Sequence, residues 1–482
     1  MKLLKKTILQ WDAINLAICG LFSLLLIIWS FDQSLANDSY YYWRWSQNLD
    51  WSYYDGPPLI AYLIRFCTTI FSDSNLVLAL INKFMLLLTC IVVYATARLN
   101  LNKSASIISA MVCLFFPLSI SSICRGTTYD VPQLFFYACS LYCATLFAKD
   151  INRYKNLYAT AAAIGLLMLS KYSGVILVLG LLCSIIRQKP LRGLFFNPHF
   201  YLGVLLSLII FSPVLYWNFK HDWVSFLYQL DTHSLRHEVQ NVNFVKLENV
   251  MKYLCTLNFL ILIILQLRPQ NIAQAPLGIR LQSDVTLVFF WFIIYLCFIS
   301  KIHMNWVTPM VVSLSLLCGY AYQTGQLKKG ICFYLSFFII LDTAYVAYHI
   351  FYQKSDINHE IAQYLRGLPY HNSSNEFLIG DGWTVATALY PAKGHPLPKT
   401  LSCSNQPDNQ YQYWNNSYLR EIQSNPDAQV WYFSTSHALS CLNKYFNNCH
   451  YFSKVLFSNR HKTFLRTYVC GNEPSYTIRT SK

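Results

Sequence analysis

The stretch "LVLALINKFMLLLTCIVVYATA", residues 76–97, has a single charged side chain, Lys83, in an otherwise apolar run. Its length matches the roughly 20 residues that an α-helix needs to cross a bilayer. Similar runs recur from Ile14 to Phe351. We therefore predict about eleven transmembrane helices by this length criterion, at residues 14–31, 76–97, 104–121, 131–148, 157–170, 172–186, 200–217, 249–267, 284–300, 308–324 and 331–351.

The composition supports a membrane protein. Of the 482 residues, 55% are hydrophobic and 12% are charged, whereas a soluble chain carries about a quarter charged residues. The sequence becomes polar and rich in turn residues after Tyr352. We predict an α-helical polytopic membrane domain at 1–352, with an external juxtamembrane loop at 32–75, and a small mixed α/β extracytoplasmic domain at 353–482. The first span is expected to stay as an anchor, since no small-residue cleavage site follows it.

Lysine and arginine residues occupy alternate loops between the predicted spans, which makes that side cytoplasmic by the positive-inside rule. They are Lys2, Lys5, Lys6, Arg98, Lys103, Lys149, Arg153, Lys155, Arg187, Lys189, Arg192, Arg268, Arg280, Lys328 and Lys329. The net charge of +15 is thus largely a topology signal. Cations scattered in this way argue against a nucleic-acid partner. The loops 36–58, 122–130 and 218–248 and the tail are then predicted outside.

The first external loop is aromatic and acidic. The segment "SYYYWRWSQNLDW", residues 39–51, suits a helix lying in the membrane interface, with Arg44 and Asp50 toward water. The run "LIAYLIRFCTTIF", residues 59–71, is too short to span a bilayer. We predict two juxtamembrane helices joined by "SYYDGPP" at 52–58.

Asp38 and Asp55 each have a structural and a functional interpretation. Asp38 could cap a helix N-terminus, and Asp55 could serve a turn, since Asp-Gly before Pro-Pro breaks helices. Taken together, two carboxylates near the outer interface could hold a base or a cation over a membrane-borne substrate. Aromatic rings make good walls for sugars, and we predict that Tyr41 and Tyr54 line a substrate cavity.

The segment "YYYWRWSQNLDWSYYDGPPLIAYLI" (40–64), preceded by an acidic residue at the end of the first span, resembles the first-loop signature of the GT-C membrane glycosyltransferases. The branch it resembles is the bacterial one of the dolichyl-phosphate-mannose–protein mannosyltransferase superfamily, which includes the lipid A aminoarabinose transferase. The resemblance continues through "TTYDVPQLFFYACSLY" (127–142), "LSKYSGVIL" (169–177), "SPVLYWNFKHDWVSF" (212–226) and "HMNWVTP" (303–309).

The resemblance implies transfer of a sugar from a polyprenyl-phosphate carrier on the outer face of the membrane. It implies catalytic roles for Asp38, Asp55 and Asp130. Two departures matter: Ser39 stands where such enzymes often have a second acid, and Gly56 stands where the aminoarabinose branch has a lysine. The grip on the carrier phosphate is therefore expected elsewhere.

Three cations are predicted to bind the donor phosphate: Lys171, Arg125 and Lys301. Lys171 is the most isolated cation among the spans, where a charge is costly and is a functional hypothesis by default; the alternative is a lysine that snorkels to the interface. Arg125 could pair with Asp130 or with a phosphate. Asp130 could instead be a helix N-cap.

Further polar residues have weaker signals. Family similarity suggests that His303 and Asn305 line the cavity beside Lys301. In "KHDWVSFLYQLDTHSLRHE" (220–238), a metal site is disfavoured against a solvated polar loop, because the segment offers no third ligand beside His233 and His237. Asp38 and Asp130 could hold a divalent ion such as Mg, Mn or Zn.

Four tail cysteines, in an oxidising compartment, allow two disulfides in three possible pairings. They are Cys403, Cys441, Cys449 and Cys470. Most of the other cysteines lie in the apolar spans, where packing explains them.

The topology and the resemblance together predict an inverting glycosyltransferase with an extracytoplasmic tail, and the bacterial branch that the chain resembles implies the bacterial inner membrane and a periplasmic tail. Its expected partners are a polyprenyl-phosphate sugar donor, membrane lipids and a glycolipid, glycan or protein acceptor. The rival hypothesis is a transporter or flippase of a lipid-linked sugar, but transporters place their charges near the middle of the membrane. The acids here lie at the outer ends of the spans.

Overall fold

The computed structural model describes residues 37–115, 126–232, 272–299 and 306–326, and much of the region from 364 to 471. The chain divides into two compact units. The first comprises Met1–Asp32 and Trp45–Ala347, and the second comprises Gln33–Arg44 and Tyr348–Lys482. The start of the first external loop therefore groups with the tail.

Helices make up the described part of the first unit. In chain order they are α1 Asn37–Gln47, which begins in the second unit, α2 Leu59–Ile70, α3 Asn75–Arg98, α4 Lys103–Phe115, α5 Asp130–Lys149, α6 Tyr154–Ser170, α7 Val175–Arg187, α8 Pro198–Lys220, α9 Val224–Thr232, α10 Leu277–Ile299 and α11 Met310–Gln323. Local sequence explains several starts. At the start of α3, the Ser74 hydroxyl accepts a hydrogen bond from the backbone amide of Val77. At the start of α8, the Asn197 side chain accepts one from the backbone amide of His199, so both residues are N-caps.

Four of the described helices are long and apolar enough to cross a membrane: Asn75–Arg98, Asp130–Lys149, Pro198–Lys220 and Leu277–Tyr295. The predicted spans 157–170 and 172–186 correspond to α6 and to α7 with its preceding 3-10 turn Tyr172–Gly174. A 3-10 helix, Lys189–Phe196, leaves α7 at an angle of 106°. The predicted spans 14–31, 249–267 and 331–351 lie outside the described residues.

The core of the first unit surrounds α11, whose residues from Met310 to Ala321 are all buried. Helices α3, α4, α5, α7 and α10 contribute to the same core. In contrast, α8 is apolar, but only 22% of its most apolar stretch is buried within the protein. Since a helix in lipid need not hide its apolar side chains, this helix suits a position at the lipid boundary.

The second unit contains a five-stranded sheet in the order β2-β1-β3-β5-β4. The strands are β1 Glu376–Gly380, β2 Lys399–Thr400, β3 Gln429–Ser434, β4 Asn448–Ser458 and β5 Thr463–Gly471, with helices α12 Asn415–Ser424 and α13 Leu439–Leu442. Strands β2, β1 and β3 are parallel, and β5 and β4 are antiparallel. A disulfide joins Cys449 to Cys470, which face each other across β4 and β5. This selects one of the three pairings, and the Cys403–Cys441 bridge stays a prediction.

Candidate active site

Buried aromatic side chains hold the loop between α1 and α2. The ring of Tyr53 is fully buried and stacks on Trp45, with 4.2 Å between the ring centroids. The Tyr53 hydroxyl is within hydrogen-bonding distance of two backbone carbonyl oxygens, 3.1 Å from that of Trp45 and 3.0 Å from that of Asn48, and can donate to either. Burial of the hydroxyl raises the pKa of Tyr53. The two juxtamembrane helices and the break between them are as predicted, although α1 ends at Gln47 and not at Trp51.

A tight turn presents Asp55. Tyr53 and Gly56 exchange backbone hydrogen bonds of 3.0 and 3.4 Å, so Tyr54 and Asp55 occupy the centre of the turn. The predicted turn role of Asp55 is confirmed. Its backbone carbonyl accepts a 2.9 Å hydrogen bond from the Gln229 side chain, and the residue is half-buried. These contacts fix the backbone of Asp55.

A chain of hydroxyl groups connects this loop to the segment that carries Lys171. The Ser52 hydroxyl lies 3.3 Å from the Tyr172 hydroxyl, which lies 2.9 Å from the hydroxyl of Ser225 at the start of α9. Tyr172 is the residue after Lys171. These hydrogen bonds thus connect the Asp55 turn, the Lys171 segment and the start of α9.

Asp130 and Lys171 form a buried ion pair. The Lys171 Nζ lies 2.5 Å from the Asp130 Oδ1, and the two side chains are only 11% and 9% exposed. The Thr128 hydroxyl donates to the other carboxylate oxygen at 3.4 Å. Asp130 is the first residue of α5, whose N-cap is Tyr129 and has no side-chain cap hydrogen bond. The N-cap interpretation of Asp130 is therefore wrong.

Lys171 is not isolated, contrary to the expectation from the sequence. Its ammonium contacts Asp130, and it lies 4.4 Å from the centroid of the Tyr129 ring, within cation–π range. The snorkelling alternative does not fit a side chain this buried. A lysine ammonium has three N–H donors. Even with one directed at Asp130, it keeps donors for a second anion.

The segment before Asp130 is anchored to α3. The side-chain amide of Asn82 donates to the Gly126 carbonyl, and the Thr127 hydroxyl donates to the Leu78 carbonyl. Gly126 has a φ of 91°, a conformation that suits glycine. These contacts fix the approach to Asp130. The sequence carried no signal for them except an asparagine inside an apolar span.

Asp50 also differs from its predicted orientation toward water. Its carboxylate accepts a 2.9 Å hydrogen bond from the Trp217 indole and a 2.7 Å bond from the Trp51 amide. The imidazole of His221 stacks on Trp217, with 4.0 Å between the centroids. The corner after α8 also contains Asp222 with a φ of 53°. Asp50 therefore ties the first loop to the end of α8.

Two predicted cavity aromatics are packed within the protein. The Tyr54 ring lies against Tyr228, with 4.9 Å between the centroids. The Tyr41 hydroxyl accepts a 2.9 Å hydrogen bond from the backbone amide of Gln410, and both residues belong to the second unit. Asp38, half-buried in the first turn of α1, belongs to that second unit as well.

Four predicted site residues, Arg125, Lys301, His303 and Asn305, lie outside the described residues. In the part of the chain that is described, no group of three or more His, Cys, Asp or Glu side chains could hold a metal ion. At Asp130 the Oδ1 already faces an ammonium group. The described donor set does not fit a divalent ion at Asp130, and the metal role of Asp38 with Asp130 stays a prediction.

Part of the chain is similar to proteins that are named as glycosyltransferases. Residues 55–217 match the family described as dolichyl-phosphate-mannose-protein mannosyltransferase, and this segment contains Asp55, Asp130, Lys171 and Trp217. The chain is 29% identical over 193 residues to the lipid A galacturonosyltransferase RgtD of Rhizobium johnstonii, a match that covers 38% of each protein. It is 32% identical over 102 residues to dolichyl-phosphate-mannose–protein mannosyltransferase 1 of Saccharomyces cerevisiae, covering 20% of this chain and 12% of that protein. The matches thus span well under half of either relative.

Solved structures extend the likeness of fold to most of the chain. ArnT from Cupriavidus metallidurans, bound to undecaprenyl phosphate, has a TM-score of 0.63 at 14% identity, covering 95% of this chain and 98% of that one. The oligosaccharyltransferase of Archaeoglobus fulgidus, in complex with Zn and sulfate, has a TM-score of 0.53 at 14% identity, covering 91% and 72%. Identities this low support the fold alone. The chain is therefore a helical polytopic membrane protein with the GT-C fold of these solved structures.

Proposed function

We propose that this protein transfers a sugar, with inversion, from a polyprenyl-phosphate donor to an acceptor on the outer face of the bacterial inner membrane. One observation carries the proposal. Hydrogen bonds from Tyr172 to Ser52 and Ser225 link the loop that carries Asp55 to the segment that carries the buried Lys171–Asp130 pair. Asp55, Asp130 and Lys171 all lie within the segment that matches the mannosyltransferase family. The undecaprenyl phosphate bound to ArnT supports a donor of the same class.

The reaction would be a single displacement. A hydroxyl or amine of the acceptor attacks the anomeric carbon while the bond from that carbon to the phosphate oxygen breaks. The electron pair leaves on the phosphate, a carboxylate accepts the acceptor's proton, and polyprenyl phosphate is released. Attack opposite the leaving group inverts the anomeric configuration.

Asp55 is the proposed proton acceptor. Its turn is fixed by the Tyr53–Gly56 backbone pair, and a base must be held within hydrogen-bond reach of the proton that it removes. Asp38 remains a second candidate for this role. Both are carboxylates near the outer ends of helices in the predicted topology.

Lys171 is the proposed phosphate ligand. Charge develops on the phosphate as the sugar departs, and a preorganised cation stabilises it. Asp130 would then act as a positioning residue, because its carboxylate holds the Lys171 ammonium at 2.5 Å. Arg125 and Lys301 are the alternative phosphate ligands, and Tyr54, Tyr41, His303 and Asn305 are the proposed cavity residues.

The relatives suggest two acceptor classes. One is named for lipid A and the other for protein. The longer aligned stretch belongs to the lipid A enzyme, so a lipid A-type glycolipid is the preferred acceptor. None of the relatives described above is named as a transporter.

The test is to incubate the purified protein with a panel of prenyl-phosphate sugars and to measure released prenyl phosphate. Asp55→Asn should lower turnover about 10²- to 10⁴-fold, the usual contribution of a general base. Asp73→Asn is the matched control, because Asp73 is exposed in the loop between α2 and α3. Wild-type turnover in Asp55→Asn would remove Asp55 as the base. Movement of donor across vesicles without release of prenyl phosphate would contradict the proposed transfer.

A further inference from the structure

A second polar cluster surrounds Asp284 within α10. The side chain is 3% exposed, and its Oδ2 accepts hydrogen bonds from the Ser184 hydroxyl at 2.9 Å and the Gln188 side-chain amide at 2.7 Å. Its Oδ1 lies 2.8 Å from the Arg187 guanidinium. A carboxylate inside an apolar span is a functional signal.

The cluster lies at the end of the helices opposite Asp130 and Lys171. Helix α7 runs from the Lys171 segment to Arg187, and Arg280 lies in the first turn of α10. The two helices approach closely, since a Cβ at Gly180 would come within 2.9 Å of the Val285 Cα. Arg187 and Arg280 are therefore held at one end of a tight helix pair.

A cavity of about 380 Å³ opens beside this pair, lined by both arginines and Asp284. The Arg187 side chain is 54% exposed even though it contacts Asp284. The Arg280 Nε is buried and has no hydrogen-bond partner among the described residues. With two guanidinium groups and one carboxylate, the described lining of the cavity carries a net positive charge.

Part of the cavity wall is apolar, since Ile272, Leu287 and Leu317 also line it. A small hydrated anion gains nothing from such a wall, whereas the glycerol and acyl region of a lipid does. The cavity size falls in the range of ordinary ligand sites, about 300–1,000 Å³.

The surrounding surface suits a membrane interface. The 3-10 helix Lys189–Phe196 turns away from α7 at 106°, and Phe196 is 92% exposed. Lys189 and Arg192 on the same segment are exposed cations. A short segment with exposed aromatic and basic side chains is typical of the headgroup region.

We propose that this cavity binds the phosphate of an anionic phospholipid from the cytoplasmic leaflet. The guanidinium groups of Arg187 and Arg280 match phosphate oxygens in geometry and charge. Basic pockets between transmembrane helices on the cytoplasmic side are recurrent lipid headgroup sites. The site is separate from the proposed transferase site and does not depend on the reaction assigned there.

The experiment uses the full-length protein, purified in detergent and titrated with phosphatidylglycerol, with bound lipid counted by native mass spectrometry. Arg280→Gln should weaken phosphatidylglycerol binding about tenfold, as expected for the loss of one charge-assisted hydrogen bond. Arg153→Gln is the matched control, since Arg153 is an exposed cation at the same end of the bundle and outside the cavity. Phosphatidylcholine should bind weakly to all variants.

Two further arms keep the result decisive. Arg280→Lys retains the charge but loses the planar fork, so it should bind with intermediate affinity, and it replaces Arg280→Gln if that variant fails to fold. Inorganic phosphate should not displace the bound lipid. Unchanged binding in Arg280→Gln, equal losses in Arg280→Gln and Arg153→Gln, or displacement by inorganic phosphate would overturn the proposal.

Discussion

Replacing Lys171 with methionine should destabilise the protein and also impair donor binding. The change removes the ammonium and leaves the Asp130 carboxylate, only 9% exposed, without its cation. Breaking a buried ion pair by removing one partner costs about 3–5 kcal/mol. Asp130→Asn should cost less, about 1.5–3 kcal/mol, because an amide oxygen can still accept from Lys171.

The double variant Lys171→Met with Asp130→Asn separates stability from binding. It contains neither charge, so it should be more stable than the sum of the single changes suggests, with a coupling of about 1–3 kcal/mol. The assay is the free energy of unfolding in mixed detergent micelles, measured for all four proteins of the cycle. Single costs that add within about 0.5 kcal/mol would refute the idea that the two side chains act as one unit.

The same proteins test the phosphate role. If Lys171 contacts the donor, the double variant should regain stability but still bind a prenyl-phosphate sugar weakly. A further variant, Lys171→Arg, should keep part of the affinity. Wild-type donor affinity in the double variant would transfer the phosphate role to Arg125 or Lys301.

Two other predictions follow from the first loop and from the topology. Trp217→Phe removes the indole donor to the Asp50 carboxylate and should lower the free energy of unfolding by about 1.5–3 kcal/mol. The control Trp51→Phe, at a 54% exposed position, should lower it little. Equal losses in the two variants would show that the Trp217–Asp50 hydrogen bond does not stabilise the protein. A membrane-impermeant thiol reagent applied from outside should label Asp73→Cys above the wild-type background and should not label Asp150→Cys. The reason is that the cationic loops on the Asp150 side are predicted to be cytoplasmic. The reverse labelling would overturn the topology.

The sequence by itself determined the class of the protein and the approximate ends of many helices. The predicted span 131–148 matches α5 Asp130–Lys149, and 200–217 matches α8 Pro198–Lys220. Pro57 and Pro58 also marked the break before α2. These features depend on the length of an apolar run or on a local helix breaker, both of which are properties of adjacent residues. The family resemblance likewise came from short contiguous motifs.

Only the tertiary structure decided which polar groups meet. Lys171 pairs with Asp130 across 41 residues, and the Trp217 indole reaches Asp50 across 167 residues. Asp284 collects its donors from Ser184 and Gln188, 100 and 96 residues away. The physical reason is that hydropathy identifies which residues enter the membrane, whereas the partner of a charge depends on which helices pack together and on the depth at which each side chain lies. Lys171 looked isolated along the chain because its counter-charge lies on a different helix.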